Sequence, residues 1–419
     1  MIPERGSKEK VELPPQRNNL YFYIDENEIS SVGSEETLHQ IQNHGNSINM
    51  NDQLKQSAEK KNLERQRREP IENRILSKED NQASSHFQPK IVAKCSNICY
   101  NFPQKATAKS EGTGIDLGTT RCCVAVNRNG VIIIIPLDST GERLLPSYIS
   151  YDEEMVKCGK VVVGRLQYHS NSTIFDSKRI IGRTFNDVKI EENWDFNVIC
   201  DNEAVLLETY GFNGKTKFTA VEAAADLLKY IKKRAEEFEG KQITKAVITV
   251  PAAFSDSQKV ATEAAAKEAG WKEVQLLPEP IAAAFAYFIE RPISNNSIVL
   301  LFDLGGGTLD VCIFKVENDS MKIISNTGDT QIVTSVEFRL MTQTLLNKIL
   351  KTIITAMMNA NLTKDQINHV LHVGGACRMP MIKGMLKDLF PNAQHRCEVH
   401  PDEVVALGAA YYANSVFSE

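Results

Sequence analysis

The sequence lacks long apolar runs, an excess of either charge and the cysteine framework of a secreted protein. No apolar stretch approaches the roughly twenty residues that a membrane-spanning helix needs, so no span is predicted. The start of the chain, MIPERGSK, does not have the form of a secretory signal peptide. The nine cysteines are an odd number, and Cys122 and Cys123 are adjacent, which favours reduced thiols in a cytosolic or nuclear protein. The net charge of −5 gives no electrostatic case for binding DNA.

Residues 1–111 differ in composition from the rest of the 419-residue chain. They are rich in Asn, Gln, Ser and Glu, and their apolar residues show no sustained periodicity. Such a segment cannot bury enough apolar surface to offset the chain entropy lost on ordering, so we expect a disordered polar tail that nucleotide binding does not need. A helix interrupted at Pro70 is predicted over 52–77. The basic stretch 60–68 is interpreted as a solvated helix face, in preference to a nuclear-import or RNA-contacting patch.

A glycine-rich turn between two apolar segments is the central feature of the remaining chain. Two short β-prone runs joined through residues 305–307 predict a hairpin whose turn lets a phosphate approach backbone N–H groups. Asp303 ends the first strand, where a carboxylate can hold Mg²⁺ through its water shell. Thr308 offers a hydroxyl to a terminal phosphate, and Asp310 offers a carboxylate that can orient a water. A purely structural hairpin is the alternative for this motif taken alone.

The same arrangement occurs a second time, nearer the N-terminus. Asp116 lies on a predicted strand just before a Gly-Thr-Thr turn, and Asn129-Gly130 predicts a two-residue hairpin turn between the next two apolar segments. Two acidic hairpins with glycine turns, about 190 residues apart, indicate a duplicated fold with a phosphate between its halves.

Helices and strands alternate around these hairpins. Capping boxes at Thr219 and Ser255 predict the starts of two Ala-rich helices, which end at Glu239 and Gly270, with a buried strand over 245–250 between them. Further elements are predicted as a short helix over 173–183, helices over 281–290, 334–358 and 378–389, a strand over 369–373 and a last helix from Pro401. This alternation predicts an α/β protein.

Histidines and cysteines near the C-terminus raise the question of a metal site. His369 and His372 lie three positions apart on a predicted strand, where their side chains point to opposite faces and cannot readily share one ion. Together with Cys377, Cys397 and His400 they are interpreted as core or surface residues.

Seven motifs occur in order along residues 112–419, namely GIDLGTT, FDSKRIIGR, VITVPAAF, LLPEPIAAAFAY, FDLGGGTLDV, VGGACRMP and HPDEVVALGAA. In order and spacing they resemble the nucleotide-binding domain of the 70-kDa heat-shock protein family, within the actin-like ATPase superfamily. The resemblance implies an α/β actin-like ATPase fold, in which two lobes of mixed sheet flanked by helices enclose a nucleotide cleft. Residues 112–292 are expected to form the N-terminal lobe and the start of the second lobe, and residues 293–419 the remainder of one nucleotide-binding domain.

The resemblance also implies that the site binds ATP or ADP with Mg²⁺. Asp116 and Asp303 are expected to hold Mg²⁺ through its waters, Lys178 to position the γ-phosphate and the attacking water, and Glu279 to act as base or to orient that water. The further residues implied are Thr308 and Asp310 beside the reacting phosphate, Gly118, Thr119, Thr120, Gly305, Gly306 and Gly307 at the phosphates, and Gly374, Gly375, Arg378 and Asp402 along the adenosine.

Two of these residues have simpler interpretations. Lys178 could be an ordinary exposed helix lysine, although its motif context favours a functional role. Glu279 begins a helix, where an acidic side chain is favoured by the helix dipole, and this role is compatible with the catalytic one.

The chain departs from the family pattern between Asp329 and Val373, where it is shorter by roughly seventy residues, the size of a small subdomain. We therefore expect one wall of the adenine slot to be missing, which lowers nucleotide affinity by roughly two to three decades. Arg121 stands where the family usually has an aromatic residue. The family's peptide-binding domain does not follow the last helix in this sequence, so client capture in the usual way is not expected.

The first functional hypothesis is a slowly hydrolysing Mg²⁺-dependent ATPase of heat-shock type that serves as an accessory chaperone or co-chaperone. The alternative is a non-catalytic nucleotide-sensing scaffold, with ribosome association suggested by the C-terminal segment. A sugar or acetate kinase is disfavoured because the segments between the motifs resemble the heat-shock members. Expected partners are J-domain co-chaperones or other chaperones, but not the exchange factors that grip the missing lobe. The expected location is the cytoplasm and also the nucleus.

Overall fold

The computed structural model describes residues 21–24, 30–33, 98–107, 112–330 and 343–417. They fall into two units, residues 1–88 and residues 89–419. In the first unit, β1 (Tyr21–Ile24) and β2 (Ser30–Gly33) form an antiparallel pair that the polar composition does not predict. The predicted helix over 52–77 and the basic stretch 60–68 lie outside the described residues.

The second unit holds the α/β part of the chain. Its strands are β3 (Cys99–Asn101), β4 (Thr113–Leu117), β5 (Arg121–Arg128), β6 (Val131–Ile134), β7 (Leu145–Pro146), β8 (Tyr148–Ser150), β9 (Lys157–Cys158), β10 (Thr173–Phe175), β11 (Asn197–Asp201), β12 (Ala204–Gly211), β13 (Gly214–Thr219), β14 (Lys245–Val250), β15 (Glu273–Pro278), β16 (Ile298–Leu304), β17 (Leu309–Glu317), β18 (Ser320–Asp329), β19 (His369–Val373) and β20 (Gln394–Arg396). Its α-helices are α1 (Lys160–Val163), α2 (Leu166–His169), α3 (Ser177–Ile180), α4 (Ala220–Glu239), α5 (Asp256–Glu268), α6 (Glu279–Glu290), α7 (Gln343–Ala360), α8 (Pro380–Leu389) and α9 (Val404–Val416).

Two mixed sheets of the second unit share one strand order. The first runs β15-β14-β4-β5-β6, and the second runs β20-β19-β16-β17-β18-β3. In each sheet a meander of three antiparallel strands is extended by two strands that run parallel to the first strand of the meander. This repeat confirms the predicted duplication. It also gives Asp116 and Asp303 the same position, one residue before the end of the first meander strand.

The hairpin turn and the two helix capping boxes that the sequence predicts are present in the structure. Asn129 and Gly130 both have positive φ angles, 56° and 87°, as a two-residue hairpin turn between β5 and β6 requires. Thr219 accepts a hydrogen bond from the N–H of Glu222, and the Glu222 carboxylate accepts one from the N–H of Thr219, which completes the capping box of α4. The box at Ser255 forms in the same way and opens α5.

The last helix, α9, packs closely against both the first sheet and α6. A Cβ atom at Gly114 of β4 would lie 2.1 Å from the backbone nitrogen of Ala410, and one at Gly408 would lie 1.6 Å from the carbonyl oxygen of Ala282. Any side chain at these two glycines would push the elements apart. Helix α9 thus joins the first sheet to α6, which in turn packs against β16 and β17 of the second sheet.

Strand β3 corrects the predicted end of the tail at residue 111. It pairs antiparallel with β18 at the edge of the second sheet. The ring of Phe102 stacks on Phe288 of α6 with centroids 3.6 Å apart, and Tyr100 meets Phe285 edge to face at 6.2 Å. The ordered domain therefore includes residues 98–107. A three-residue strand in a polar segment has no periodicity of its own, and its partners lie far along the chain.

Several element bounds also differ from the prediction. Residues 173–175 form strand β10 rather than the start of a helix, because the β-branched Thr173 and Ile174 pair with β8. Helix α8 begins only at Pro380, after a 3₁₀ turn over Gly375–Arg378, and α9 begins at Val404 rather than Pro401. Helix α7 is described from Gln343, so the predicted start of this helix at 334 lies outside the described residues.

Two of the C-terminal histidines, His372 and His395, lie in contact with each other. His372 is buried, and its Nε2 lies 2.9 Å from Nδ1 of His395. Burial and the neighbouring His395 lower the pKa of His372 to about 4.

Within the described residues, no helix is both long enough and apolar enough to cross a membrane.

Candidate functional site

A cleft of about 570 Å³ opens between the two hairpin turns. This volume lies within the roughly 300–1,000 Å³ that is usual for small-molecule and cofactor sites. The predicted residues that line the cleft are Asp116, Gly118, Thr119, Thr120, Lys178, Glu279, Asp303, Gly305, Gly306, Thr308, Gly374, Gly375, Arg378 and Asp402. Gly307 and Asp310 are predicted site residues that do not line it. The cleft is further lined by Arg121, Leu144, Ala376, Pro401 and Val405.

The first turn, residues 118–120, is held from below by the backbone and side chain of Ser147. The N–H of Ser147 donates to the carbonyl oxygen of Thr120 at 2.9 Å, and its hydroxyl donates to the carbonyl oxygen of Gly118 at 2.8 Å. A Cβ atom at Gly118 would lie 2.0 Å from the carbonyl oxygen of Arg121, so the turn requires glycine there. The turn is therefore rigid before any ligand arrives.

The second turn, residues 305–308, touches the first turn across the cleft. A Cβ atom at Gly306 would lie 2.2 Å from Cγ2 of Thr120, so the two turns are already in van der Waals reach. The N–H of Gly305 donates to the carbonyl oxygen of Thr308 at 3.1 Å. This N–H donates within the turn itself, and the binding of a phosphate by Gly305, which lines the cleft, stays a prediction.

Arg179 supports the second turn from behind and was missed as a site residue. Its side chain is 6% exposed and lies 3.4 Å from the Asp176 carboxylate. Its Nη2 donates to the carbonyl oxygen of Gly306 at 3.5 Å, and a Cβ atom at Gly307 would lie 2.2 Å from the same nitrogen. Arg179 thus joins α3 to the second turn. Its place inside the FDSKRIIGR motif, beside the predicted catalytic lysine, was the available signal.

Asp303 and Asp310 lie directly opposite each other on β16 and β17. Cross-strand partners point to the same face, where like charges repel. Burial, followed by the charge of Glu279, raises the pKa of both carboxyl groups well above the usual range. Asp310 accepts a hydrogen bond from the N–H of Ala252 at 3.1 Å and lies beneath the cleft. Asp310 does not line the cleft, and its role in orienting a water stays a prediction.

Lys178 and Glu279 form a buried ion pair at the floor of the cleft. The Lys178 Nζ lies 2.5 Å from Oε1 of Glu279, and each side chain is 8% exposed. Burial acts to lower the pKa of Lys178, but the Glu279 and Asp116 carboxylates outweigh it and raise that pKa, so the ammonium stays charged. Glu279 begins α6 directly after Pro278, where the helix N-terminus also favours an acidic side chain.

The surroundings of Asp116 disfavour the ionised form of its carboxyl group. Thr249 donates a long hydrogen bond of 3.4 Å to its Oδ1. Burial and the charge of Glu279 nevertheless raise the pKa of Asp116 to about 7, against the opposing effect of Lys178. The cleft therefore holds carboxyl groups whose ionised form is disfavoured in the absence of a ligand.

A hydrated Mg²⁺ ion fits this donor set. Among the residues that the structure describes, no group of three or more His, Cys, Asp or Glu side chains could ligate a metal directly. Asp116 and Asp303 line the cleft, and burial followed by the charge of Glu279 raises the pKa of each. A bound cation would favour the ionised form of both carboxyl groups. Mg²⁺ usually keeps several waters and binds through one or two carboxylates plus phosphate oxygens, which matches such a site.

The far end of the cleft is built by the turn after β19. Gly374 has φ +79°, and a Cβ atom there would lie 2.3 Å from the carbonyl oxygen of Leu304. A Cβ atom at Gly375 would lie 2.5 Å from Oδ1 of Asp402, and that carboxylate pairs with the guanidinium of Arg378. The predicted adenosine side is thus present as one tightly packed wall. Residues 331–342, where the sequence predicts the missing lobe, lie outside the described residues.

Fold and site together define a class of protein. Two halves share one strand order, and in each an aspartate lies one residue before the end of the first strand, which a glycine turn follows. The cleft between these turns is also lined by the buried Lys178. These features are those of a nucleotide-binding domain with the actin-like ATPase fold.

Comparison with known proteins identifies the family. The Hsp70 protein family matches residues 112–335 and 332–418, so this chain belongs to the Hsp70 family. It is 29% identical to the heat shock 70 kDa protein of Emericella nidulans, over 72% of this chain and 57% of that protein. The heat shock 70 kDa protein of Neurospora crassa gives the same identity and coverage. The chain thus spans little more than half the length of these relatives.

Proposed function

We propose that this chain binds ATP with Mg²⁺ and hydrolyses it slowly, as an ATPase of heat-shock 70 kDa type that serves other chaperones. The observation that carries the proposal is the buried pair of Lys178 and Glu279 in a cleft lined by Asp116 and Asp303. A charged lysine and an acidic partner at 2.5 Å are the groups that phosphoryl transfer to water needs beside a triphosphate.

Each residue has a definite task in this proposal. The Lys178 ammonium attracts the terminal phosphate, and Glu279, which holds that ammonium in place, accepts a hydrogen bond from the attacking water. Asp116 and Asp303 hold the hydrated cation. When bound, Mg²⁺ would supply positive charge to the phosphate oxygens. The turn at 118–120 is held in place by Ser147 and offers backbone N–H groups without reorganisation.

A non-hydrolysing nucleotide sensor is the second candidate, and one observation favours it. The family match comes in two segments that meet at residues 332–335, within the stretch where the sequence predicts the loss of an adenine-covering lobe. Weaker holding of the base leaves the triphosphate less well aligned for attack, because a displacement of about 1 Å can cost about a hundredfold in rate. Such a chain would bind nucleotide and report its presence to a partner.

A single-turnover experiment separates the two candidates. Nucleotide binding is measured by calorimetry, and hydrolysis is measured with protein in excess over labelled ATP, for the wild type, Glu279→Gln and the exposed control Glu268→Gln. Binding with hydrolysis that only Glu279→Gln abolishes supports the ATPase. Binding without hydrolysis in the wild type supports the sensor. Absence of ATP binding would overturn both candidates.

The proposed partners follow from family membership alone. Hsp70 proteins typically work with J-domain co-chaperones and other chaperones, and we propose the same partners here, in the cytoplasm and nucleus. The ribosome is a further proposed partner, suggested by the C-terminal segment of the sequence. Stimulation of hydrolysis by a purified J-domain protein tests the first of these, and co-sedimentation with ribosomes tests the second.

A further inference from the structure

Arg121 is an exposed arginine on the wall of the cleft that the proposed mechanism does not use. It opens strand β5 directly after the first turn, residues 118–120. Its position beside this turn places it at the phosphate end of the cleft rather than at the wall formed by Gly374 and Gly375.

Strand pairing fixes the backbone of Arg121, and its side chain is exposed. Arg121 pairs with Pro146 of β7, and the next residue, Ser147, holds the carbonyl of Thr120. The carbonyl oxygen of Arg121 packs against Gly118 so closely that a Cβ atom there would lie 2.0 Å away. The guanidinium is therefore carried on a rigid base, and a ligand needs to order only its side chain.

The other cations that line the cleft already have carboxylate partners. Lys178 is held by Glu279, and the guanidinium of Arg378 is held by Asp402. Arg121 has no ion pair or hydrogen bond from its side chain to any residue that the structure describes. It is the cleft-lining cation whose charge is available to a ligand.

The charge balance of the cleft shows what Arg121 contributes to the binding of an anionic ligand. Four carboxylates line the cleft, against the three cations just described; they are Asp116, Glu279, Asp303 and Asp402. With every group ionised, these side chains sum to −1 with Arg121 and to −2 without it, apart from the bound cation, so Arg121 lowers the repulsion that a triphosphate meets. The planar guanidinium suits phosphate oxygens because it offers parallel N–H donors.

We propose that the guanidinium of Arg121 binds the β- or γ-phosphate of the nucleotide and supplies part of the affinity for the polyphosphate chain. This assignment rests on the proposed nucleotide-binding function and names a residue that determines affinity within it. Arg121 acts in binding, and Lys178 and Glu279 keep their roles in hydrolysis.

Calorimetry on the full chain tests the assignment with four ligands: Mg-ATP, Mg-ADP, AMP and adenosine. Arg121→Gln is expected to raise the Kd for Mg-ATP about tenfold, the effect of one solvent-accessible charge-assisted contact. Binding of AMP and adenosine should change less than about twofold on the same reasoning. Arg121→Lys, which keeps the positive charge but not the parallel N–H donors of the guanidinium, should cause an intermediate loss of affinity for Mg-ATP. Arg128→Gln, at the other end of β5 and away from the cleft, should change nothing.

Two results would overturn the assignment. One is an unchanged Kd for Mg-ATP in Arg121→Gln. The other is an equal loss for all four ligands, which would show that Arg121 supports the fold or the base site.

Inorganic tripolyphosphate separates this proposal from the proposed function. If the wild type binds no nucleotide, the proposed function fails, and tripolyphosphate then decides the role of Arg121 by itself. Binding of this anion by the wild type that weakens in Arg121→Gln supports the assignment. A wild type that binds neither tripolyphosphate nor nucleotide refutes it.

Discussion

Replacing Asp116 by asparagine should stabilise the nucleotide-free protein while it harms the function. In the folded state, burial and the charge of Glu279 raise the pKa of Asp116 from 3.8 to about 7. An ionised Asp116 therefore costs the folded state free energy that the unfolded chain does not bear. The amide side chain of the Asp116→Asn variant keeps the shape and can still accept the hydrogen bond of Thr249, but it carries no charge.

The magnitude follows from the same shift of the pKa. A change from 3.8 to about 7 corresponds to about 4 kcal/mol at a pH where both states are ionised, and this is a ceiling. Asp116 is partly exposed, so solvent screening reduces the gain, and we expect roughly 2–4 kcal/mol. For a domain of this size, each kcal/mol raises Tm by about 2 °C, which gives an increase of about 4–8 °C.

The pH dependence gives the sign. Near pH 8 both folded and unfolded states are ionised, and the wild type bears the full cost. As the pH falls through about 7 towards about 4, the folded state takes up a proton that the unfolded state does not, so the wild type regains this stability. Below about pH 4 both states are protonated, and the two proteins should have the same stability.

Thermal unfolding of wild type and Asp116→Asn across this pH range is the assay. Asp138→Asn is the control of opposite sign, because hydrogen bonds from Thr140 and Glu142 lower the pKa of Asp138 and favour its charge even though burial opposes them. It should lower Tm slightly near neutral pH. An Asp116→Asn variant no more stable than the wild type near pH 8, or equally shifted at every pH, would refute the electrostatic account of the cleft.

Further predictions concern binding and folding. Asp303→Asn should reduce the Mg²⁺-dependent part of the affinity for ATP and GTP alike in calorimetry; a loss confined to ATP would contradict this. If one adenine wall is missing, as the sequence predicts, ATP and GTP should bind within about tenfold of each other, about 1.4 kcal/mol, and a strong ATP preference would contradict the missing wall. Gly306→Val should clash with Thr120 and raise the Kd for Mg-ATP at least tenfold by the same titration; normal affinity would show that the turns separate freely. Limited proteolysis should leave a core that begins near residue 98, and a core beginning at 112 would argue against strand β3.

Much of the architecture was predictable because its signals are local. The Asn129-Gly130 turn and the capping boxes at Thr219 and Ser255 each depend on residues within four positions of one another. Most of the residues that the motifs singled out likewise line the cleft, and several of them lie near the end of a strand or in a glycine turn. Strand β3 could not be predicted, since it gains its stability from β18 and from the rings of α6.

The sequence by itself determined the duplicated hairpins, the family and the chemical types of residue at the cleft. Only the tertiary structure decided which contacts, hydrogen bonds and neighbouring charges those residues have in the cleft. The crowding of Asp303 against Asp310, the commitment of the Gly305 N–H to its own turn and the support of the second turn by Arg179 all depend on contacts in three dimensions. The same holds for Arg121, whose importance lies in the lack of a partner among the residues that the structure describes. Charge and burial act through distance in space, and the spacing of residues along the chain does not record that distance.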